Sequence, residues 1–450
     1  MTTHADIIII GAGPGGYPAA GRAASRGKSV IIVESGHVGG TCLNCGCIPT
    51  KTLCHNAQII DTLKRHDELG LAGLSYTLDF PQIMRRKDEV VGQLRSGVET
   101  MLSAPGITLV RGHATLTGPR AVAVDGTSYT AENIIIATGS RPATPPIEGT
   151  TLPGVVTSTQ LLEIAQPPKR LCIIGAGVVG LEMASAFSSF GSEVTVAEFL
   201  KEALPGLDSD IAKRLRQTIA KRGVTFNMRS AVKSICQNPD GSLSVNYENK
   251  RGAASAVADM ALVATGRKPN TDGLGLESAG VEITKRGITV DENFQTTAPG
   301  IYAIGDVNGT RMLAHAATFQ GTRAVNHILG VPDKIRQDIM PFAVFTNPEA
   351  AGVGLSEDDC RAKGLEYKCR KAFYRACGKA LAIGQTDGML KLLSAPDGAI
   401  IGCHAFGPHA SDMAQEVTAL MNAGATVADL AHTIHIHPTL SEILHSAAQE

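Results

Sequence analysis

Two stretches of the chain carry the same pattern of apolar and polar positions. Residues 6–17 read DIIIIGAGPGGY, and residues 170–181 read RLCIIGAGVVGL. After one charged residue, each has a short apolar run, the pattern of a strand buried on both faces. A Gly-x-Gly-x-x-Gly turn follows, then an Ala-rich helical stretch, then a second apolar run (29–33 and 193–197) that leads to a Glu. From the first turn glycine to that acid is 23 positions in both copies, Gly11 to Glu34 and Gly175 to Glu198. Strand, turn, helix, strand and acid therefore recur in one register after 164 residues. The spacing predicts a duplicated βαβ dinucleotide-binding unit. A second pair of echoes, ATGSRP at 137–142 and ATGRKP at 264–269, follows apolar strands. Pro145, Pro146 and the turn-rich 149–154 read as a linker. Beyond Pro341 the pattern alternates strands (342–345, 390–393, 400–405) with amphipathic helices (411–423, 427–431), which predicts a separate α+β domain.

The turn glycines have distinct physical jobs. Gly11 and Gly175 permit the tight turn, Gly13 and Gly177 let backbone approach a pyrophosphate, and Gly16 and Gly180 let helix and strand pack closely. The following helix then turns its positive end toward the phosphates. The terminal acid separates cofactors, because a carboxylate accepts from a ribose 2′-OH and repels a 2′-phosphate. After Glu198 come Phe199, Leu200 and Lys201 with no Arg cluster, which favours NAD over NADP at the second turn. Glu34 implies a bare adenosine ribose at the first, as FAD or NAD would supply.

Composition narrows the function classes. With 41 Lys+Arg against 42 Asp+Glu the chain is nearly neutral, so nothing favours nucleic acid or an anionic membrane as partner. Aromatics are 4% and Trp is absent, which argues against base-stacking platforms. No apolar run approaches the roughly 20 residues of a bilayer span, and no signal peptide is visible. Ten cysteines in 450 residues are too few for a disulfide scaffold. The expectation is a cytoplasmic, reducing environment, in which clustered cysteines point to redox or metal chemistry.

Four cysteines do cluster, at Cys42, Cys45, Cys47 and Cys54. Three readings compete for the run GGTCLNCGCIPTK at 39–51. A zinc site starting from Cys42 and Cys45 lacks a second ligand pair of comparable regularity, so no metal is expected. Buried structural thiols fit poorly with the Gly and Pro crowding. A redox dithiol, Cys42 with Cys47, directly after the first nucleotide unit, is favoured.

On these residues the chain resembles the flavoprotein disulfide reductases, the class I pyridine nucleotide-disulfide oxidoreductases, and among them the dihydrolipoamide dehydrogenases. The resemblance runs along essentially the whole chain, through IIIATGSRP (134–142), GRKPNTDGLGLE (266–277), IYAIGDV (301–307), MLAH (312–315), TNPE (346–349) and, most specifically, HIHPTLSE (435–442). The chain ends without the C-terminal cysteine pair typical of mercuric reductases.

The resemblance implies an α/β fold of two Rossmann-like domains plus a C-terminal α+β dimerisation domain. The division it implies is FAD domain 1–148, NAD domain 149–270, a central segment 271–338 completing the FAD domain, and dimerisation domain 339–450. It implies tight, non-covalent FAD and NAD⁺/NADH as cofactors, and reoxidation of dihydrolipoamide by NAD⁺. Cys42 would exchange with substrate and Cys47 would face the flavin. His437 would be the base, oriented by Glu442, and Lys51 and Glu182 would pair near the flavin edge. Gly40, Thr41, Thr138, Gly139, Asp306, Leu313 and Ala314 would contact FAD, and Gly266 would join the NAD site. The implied partners are a second copy of the chain, whose His437 completes the site, and a lipoyl-carrying acyltransferase or glycine-cleavage carrier.

Independent chemistry supports the roles. Thiol–disulfide exchange needs a thiolate, hence a base, and an imidazole held by a carboxylate suits that work near neutrality. The five-residue spacing from His437 to Glu442 permits such a contact if Pro438 opens a helix. Lys51 falls one helical turn past Cys47. Three departures from the family's usual pattern stand out. Cys45 adds a thiol between the redox pair. Ala316 and Gln320 stand where Lys and Glu are common. Cys377 replaces a small polar residue and reads as a buried thiol. The rival readings are another NAD(P)H-dependent disulfide reductase and a non-catalytic FAD-binding scaffold.

Overall fold

The computed structural model describes residues 3–449. The chain divides into two compact units. One comprises Met1–Thr52, Gln82–Ala143 and Gly266–Ile335; the other comprises Leu53–Pro81, Thr144–Thr265 and Arg336–Glu450.

The first unit is built on the strand Thr3–Ile10. Its four consecutive isoleucines are almost wholly buried, Ile7 and Ile9 in one apolar core, Ile8 and Ile10 in another. Two buried faces explain why the run is continuous rather than alternating. Parallel neighbours are Val30–Glu34 and Thr127–Ile136, with Ile107–Arg111 beyond the first. Ile301–Ala303, from the last segment of the unit, pairs parallel with Thr127–Ile136. Gly287–Ile288 forms a two-residue strand paired antiparallel with Ile283–Thr284.

In the second unit the strands Arg170–Ile174 and Glu193–Glu198 repeat the parallel pairing, flanked by Thr225–Met228 and Met260–Val263. The helix Val178–Ser189 is buried along most of its length, and its Phe187 packs with Phe80 and Phe190 at ring separations of 6.5 and 5.8 Å. Beyond Arg336 a five-stranded antiparallel sheet runs in the order Phe342–Val344, Ala350–Gly354, Ile400–Phe406, Met389–Ser394, Lys368–Phe373. The helices Ala410–Asn422 and Glu442–Gln449 cover it, with Met413, Val417, Ile443 and Leu444 in its core. The strands Ala350–Gly354 and Lys368–Phe373 escaped the sequence pattern. The first is Gly- and Ala-rich, and the second carries three cations. Among the described residues no helix is long and apolar enough to cross a membrane.

Candidate active site

The two glycine turns have nearly the same geometry. Gly11 sits at φ +104° and Gly175 at +108°, a region that side chains seldom adopt. A Cβ on Gly11 would strike the carbonyl of Ala137, and one on Gly175 the carbonyl of Ala264. Gly16 and Gly180 each press against the carbonyl of the first glycine of their own turn. Gly177 has open space where its side chain would stand, and Gly13 has only the Cα of Gly40, 3.7 Å away. The helices Gly16–Ala24 and Val178–Ser189 start with no side-chain cap and no acid in the first turn. Their leading N–H groups are thus left for an anion, which fits a pyrophosphate at both turns.

The terminal acids also match. Glu34 accepts from the Ala12 and Gly36 amides, both at 2.8 Å. Glu198 accepts from Ala176 at 2.5 Å and Leu200 at 2.7 Å. Each carboxylate ties the glycine turn to the strand end, so it is oriented before any ribose arrives. The ATG echoes lie beside these turns. Thr138 donates to the Asn270 carbonyl, while Asn270 returns bonds from its amide to the Thr138 carbonyl and from its backbone to the Gly139 carbonyl. Gly139 at φ +68° and Gly266 at +122° both have open space at the missing side chain.

Cys42 lies on the short helix Gly40–Cys45, and Cys47 opens the helix Cys47–Leu63. The two are joined as a disulfide with Cα atoms 4.7 Å apart. Cys45 between them is a half-buried free thiol. Asn44 secures the bend by donating to the Val38 and Gly40 carbonyls and accepting from Arg95. Thr41 and Lys51 are half-buried on these same helices. Leu313 and Ala314 begin a further uncapped helix, Ala314–Ile328, again without an acid in its first turn. Asp306 accepts from Ser140 Oγ at 2.5 Å with Arg267 Nε 3.7 Å away, and Arg267 also donates to Ser140. Glu182 is buried in the helix Val178–Ser189 and accepts from the Phe345 amide.

His437 is carried by the second unit. Its Nδ1 is 2.9 Å from Glu442 Oε1, and Glu442 Oε2 accepts from the Thr439 amide at 3.0 Å. The imidazole and that N–H hold the Glu442 carboxyl below its ordinary range. The side chain of His437 is 78% exposed, between strongly exposed Ile434 and Ile436 and the cis-linked Pro438. The contact is made without a helix at Pro438: the helix begins at Glu442, and a non-helical turn brings the acid back to the imidazole.

Sequence reasoning missed what braces this arm. Glu416 binds His435 Nε2 at 3.0 Å and accepts from Ser441 Oγ at 2.9 Å, gripping the segment on both sides of His437. The buried Cys377 thiol donates to the Thr439 carbonyl. Glu416 lies about 20 positions upstream, and only its helical phase toward the strand sheet could have flagged it. His435 is therefore engaged by a carboxylate, and among the described residues no group of three or more His, Cys, Asp or Glu is arranged to hold a metal.

Residues 5–321 match the family described as pyridine nucleotide-disulphide oxidoreductase, and residues 340–448 match its dimerisation domain. The chain belongs to this family. Its relatives include dihydrolipoyl dehydrogenases of Geobacillus stearothermophilus, 40% identical over 99% of this chain and 95% of that one, and of Thermus scotoductus, 42% identical over 100% and 97%. Among solved structures it is similar to the HOCl-induced flavoprotein disulfide reductase RclA from Escherichia coli. That match has a TM-score of 0.88 and 31% identity, covering 99% of both chains. Membership establishes an enzyme of the α/β class with two dinucleotide-binding domains and a dimerisation domain, using FAD and NAD(H).

Proposed function

We propose that this protein reoxidises dihydrolipoamide with NAD⁺: dihydrolipoamide + NAD⁺ ⇌ lipoamide + NADH + H⁺. The observation that carries this reading is the Cys42–Cys47 disulfide on two helices beside an uncapped dinucleotide turn. A substrate thiolate attacks Cys42 Sγ and Cys47 leaves as thiolate. The second substrate thiol displaces Cys42, so the substrate leaves as a disulfide and both cysteines are reduced. His437 takes the proton of the incoming dithiol at its exposed nitrogen, and Glu442 fixes the imidazole through Nδ1. Bound FAD supplies the two-electron relay from the reduced cysteines to NAD⁺.

Gly11, Gly13, Gly16, Glu34, Gly40, Thr41, Thr138, Gly139, Asp306, Leu313 and Ala314 hold FAD in this reading. Gly175, Gly177, Gly180, Glu198 and Gly266 hold NAD, while Lys51 pairs with Glu182 near the flavin edge. The four-part division at residues 148, 270 and 338 belongs to the same proposal. So does a homodimer whose exposed His437 arms complete each other's sites, with a lipoyl-bearing carrier as substrate protein.

The test is the absorption spectrum of the purified protein during titration with dihydrolipoamide. A long-wavelength thiolate–flavin band should appear, and dihydrolipoamide should be turned over far faster than NADH-driven glutathione disulfide reduction. Absence of the band, or the opposite preference, would refute the assignment.

A further inference from the structure

Gln320 is almost wholly inaccessible, on the inner face of the helix Ala314–Ile328. Its Oε1 accepts from the Gly305 amide at 2.7 Å and from Asn308 Nδ2 at 2.9 Å. A backbone N–H can only donate, so the orientation of the side-chain amide is fixed and Nε2 faces the other way. There it donates to Thr310 Oγ1 at 3.3 Å, and Thr310 Oγ1 donates onward to Asn308 Oδ1 at 2.7 Å. Asn308 Nδ2 also reaches the Ala303 carbonyl at 3.0 Å, and Asn308 Oδ1 accepts from the Thr310 amide at 3.0 Å. Every link in this closed set joins an uncharged donor to an uncharged acceptor. It holds the turn Gly305–Asn308, which starts with Gly305 at φ +73° and carries Asp306.

We infer that Gln320 is a positioning residue for the flavin site and that it acts through its lack of charge. The inference rests on the reading of Asp306 as a flavin contact. Asp306 is already one carboxylate here, with Arg267 Nε 3.7 Å away. Ala316, one helical turn before Gln320, is fully buried and brings no cation. A carboxylate at position 320 would still accept from Gly305 and Asn308. It would lose the donor to Thr310 and add an unbalanced buried charge beside a cofactor that is itself anionic. The protonated acid, by contrast, reproduces both functions of the amide, because its O–H donates where Nε2 does.

The prediction is therefore a pH signature. FAD release from holoenzyme is followed by flavin fluorescence on dilution, from pH 5 to pH 9, for wild type, Gln320→Glu and Gln320→Met. The ratio of FAD dissociation constants, Gln320→Glu over wild type, should rise with pH. It should reach roughly tenfold or more at the alkaline end, the factor expected for a buried group left unsatisfied. Gln320→Met should bind FAD more weakly than wild type by a factor that does not change with pH. A Glu-to-wild-type ratio that stays level across the range overturns the inference. If Gln320→Glu does not fold, a Met variant that retains FAD as tightly as wild type overturns it equally. Wild-type protein that takes up no FAD would instead sink the reading of the flavin site.

Discussion

Lys391 offers a sharp test of how the second unit is held together. It is 2% exposed, with Nζ 2.7 Å from Asp208 Oδ1 and 2.6 Å from Glu357 Oε2. Those acids also serve helix ends. Asp208 caps Ser209–Lys221 through the Asp210 and Ile211 amides, and Glu357 opens the helix Glu357–Lys363. The pairing thus fastens a helix of the 144–265 segment to the antiparallel sheet of the 336–450 segment. Lys391→Met keeps the length of the side chain and removes the cation, leaving two carboxylates with little access to water. Breaking one partner out of a buried ionic group costs about 3–5 kcal/mol. Glu357 retains Arg361 at 3.0 Å and Tyr367 at 3.2 Å, which places the expected cost toward the lower end.

At about 1.4 kcal/mol per decade, the local opening equilibrium should rise on the order of 100-fold at pH 7. Hydrogen exchange of the amides in Met389–Ser394 and Ser209–Lys221 measures it directly. The pH dependence follows from the direction of each shift. Burial alone would push the Glu357 carboxyl up, but the hydrogen bond and charge of Lys391, aided by Tyr367 and Arg361, outweigh it and hold the carboxyl below its ordinary value. Its contribution to stability is therefore present above the ordinary carboxylate range and is lost as pH falls through the lowered value. Lys391 is raised by Asp208 and Glu357 against the pull of burial, and its contribution persists until pH rises through that raised value. In Lys391→Met the burial of Glu357 is opposed only by the Tyr367 hydrogen bond and the Arg361 charge, so acidification relieves the penalty of the unpaired acids and the gap from wild type should narrow from pH 7 toward pH 4. Replacing all three residues (Lys391→Met, Asp208→Asn, Glu357→Gln) should recover most of the loss. A gap under about 1 kcal/mol at pH 7, or one insensitive to pH, would refute the account.

Four further outcomes are expected. His437→Gln should slow dithiol oxidation by about 10²–10⁴-fold while FAD stays bound, measured by turnover and flavin absorbance; near-normal turnover excludes His437 as the base. Cys45→Ser should keep both turnover and the thiolate–flavin band, whereas an inactive variant would mean that Cys45 belongs to the working disulfide. Gly11→Ala should abolish FAD uptake, scored as flavin content after purification, because its Cβ meets the Ala137 carbonyl at a positive φ. Asp6 is held at about 2 by the Ser29 hydroxyl and amide and by Lys28. The destabilisation by Asp6→Asn in thermal melts should therefore be constant at neutral pH and fade as pH falls below the ordinary Asp value toward 2.

Much of the site was legible because its chemistry is local in the chain. A turn that must be glycine, an acid two strands from its start, and two cysteines five positions apart are all set by short-range geometry. What escaped the sequence depends on contacts that only folding creates. Lys391 meets Asp208 across 183 positions, and Phe345 offers its amide to Glu182 across 163. The His437–Glu442 contact was readable from spacing, but its route was not. A non-helical turn makes it, and the helix starts only at Glu442. Glu416 looked like one more charge on an amphipathic helix until the arm folded back onto it.

The distribution of free thiols has a practical consequence for anyone handling this protein. Burial pushes the Cys172 and Cys403 thiols up to about 12 and Cys369 up to about 11, and Cys54, Cys360 and Cys377 are also buried. Among the described residues Cys236 is the exposed thiol, with Cys45 beside the disulfide and Cys369 half-covered. A native-state alkylation experiment should therefore resolve into separate kinetic classes. Cys236 reacts at once, and Cys42 and Cys47 become available only after reduction. The deeply buried thiols stay silent until the chain unfolds. The molecule thus carries its own internal calibration, in which one label count reports redox state and a later one reports integrity of the fold.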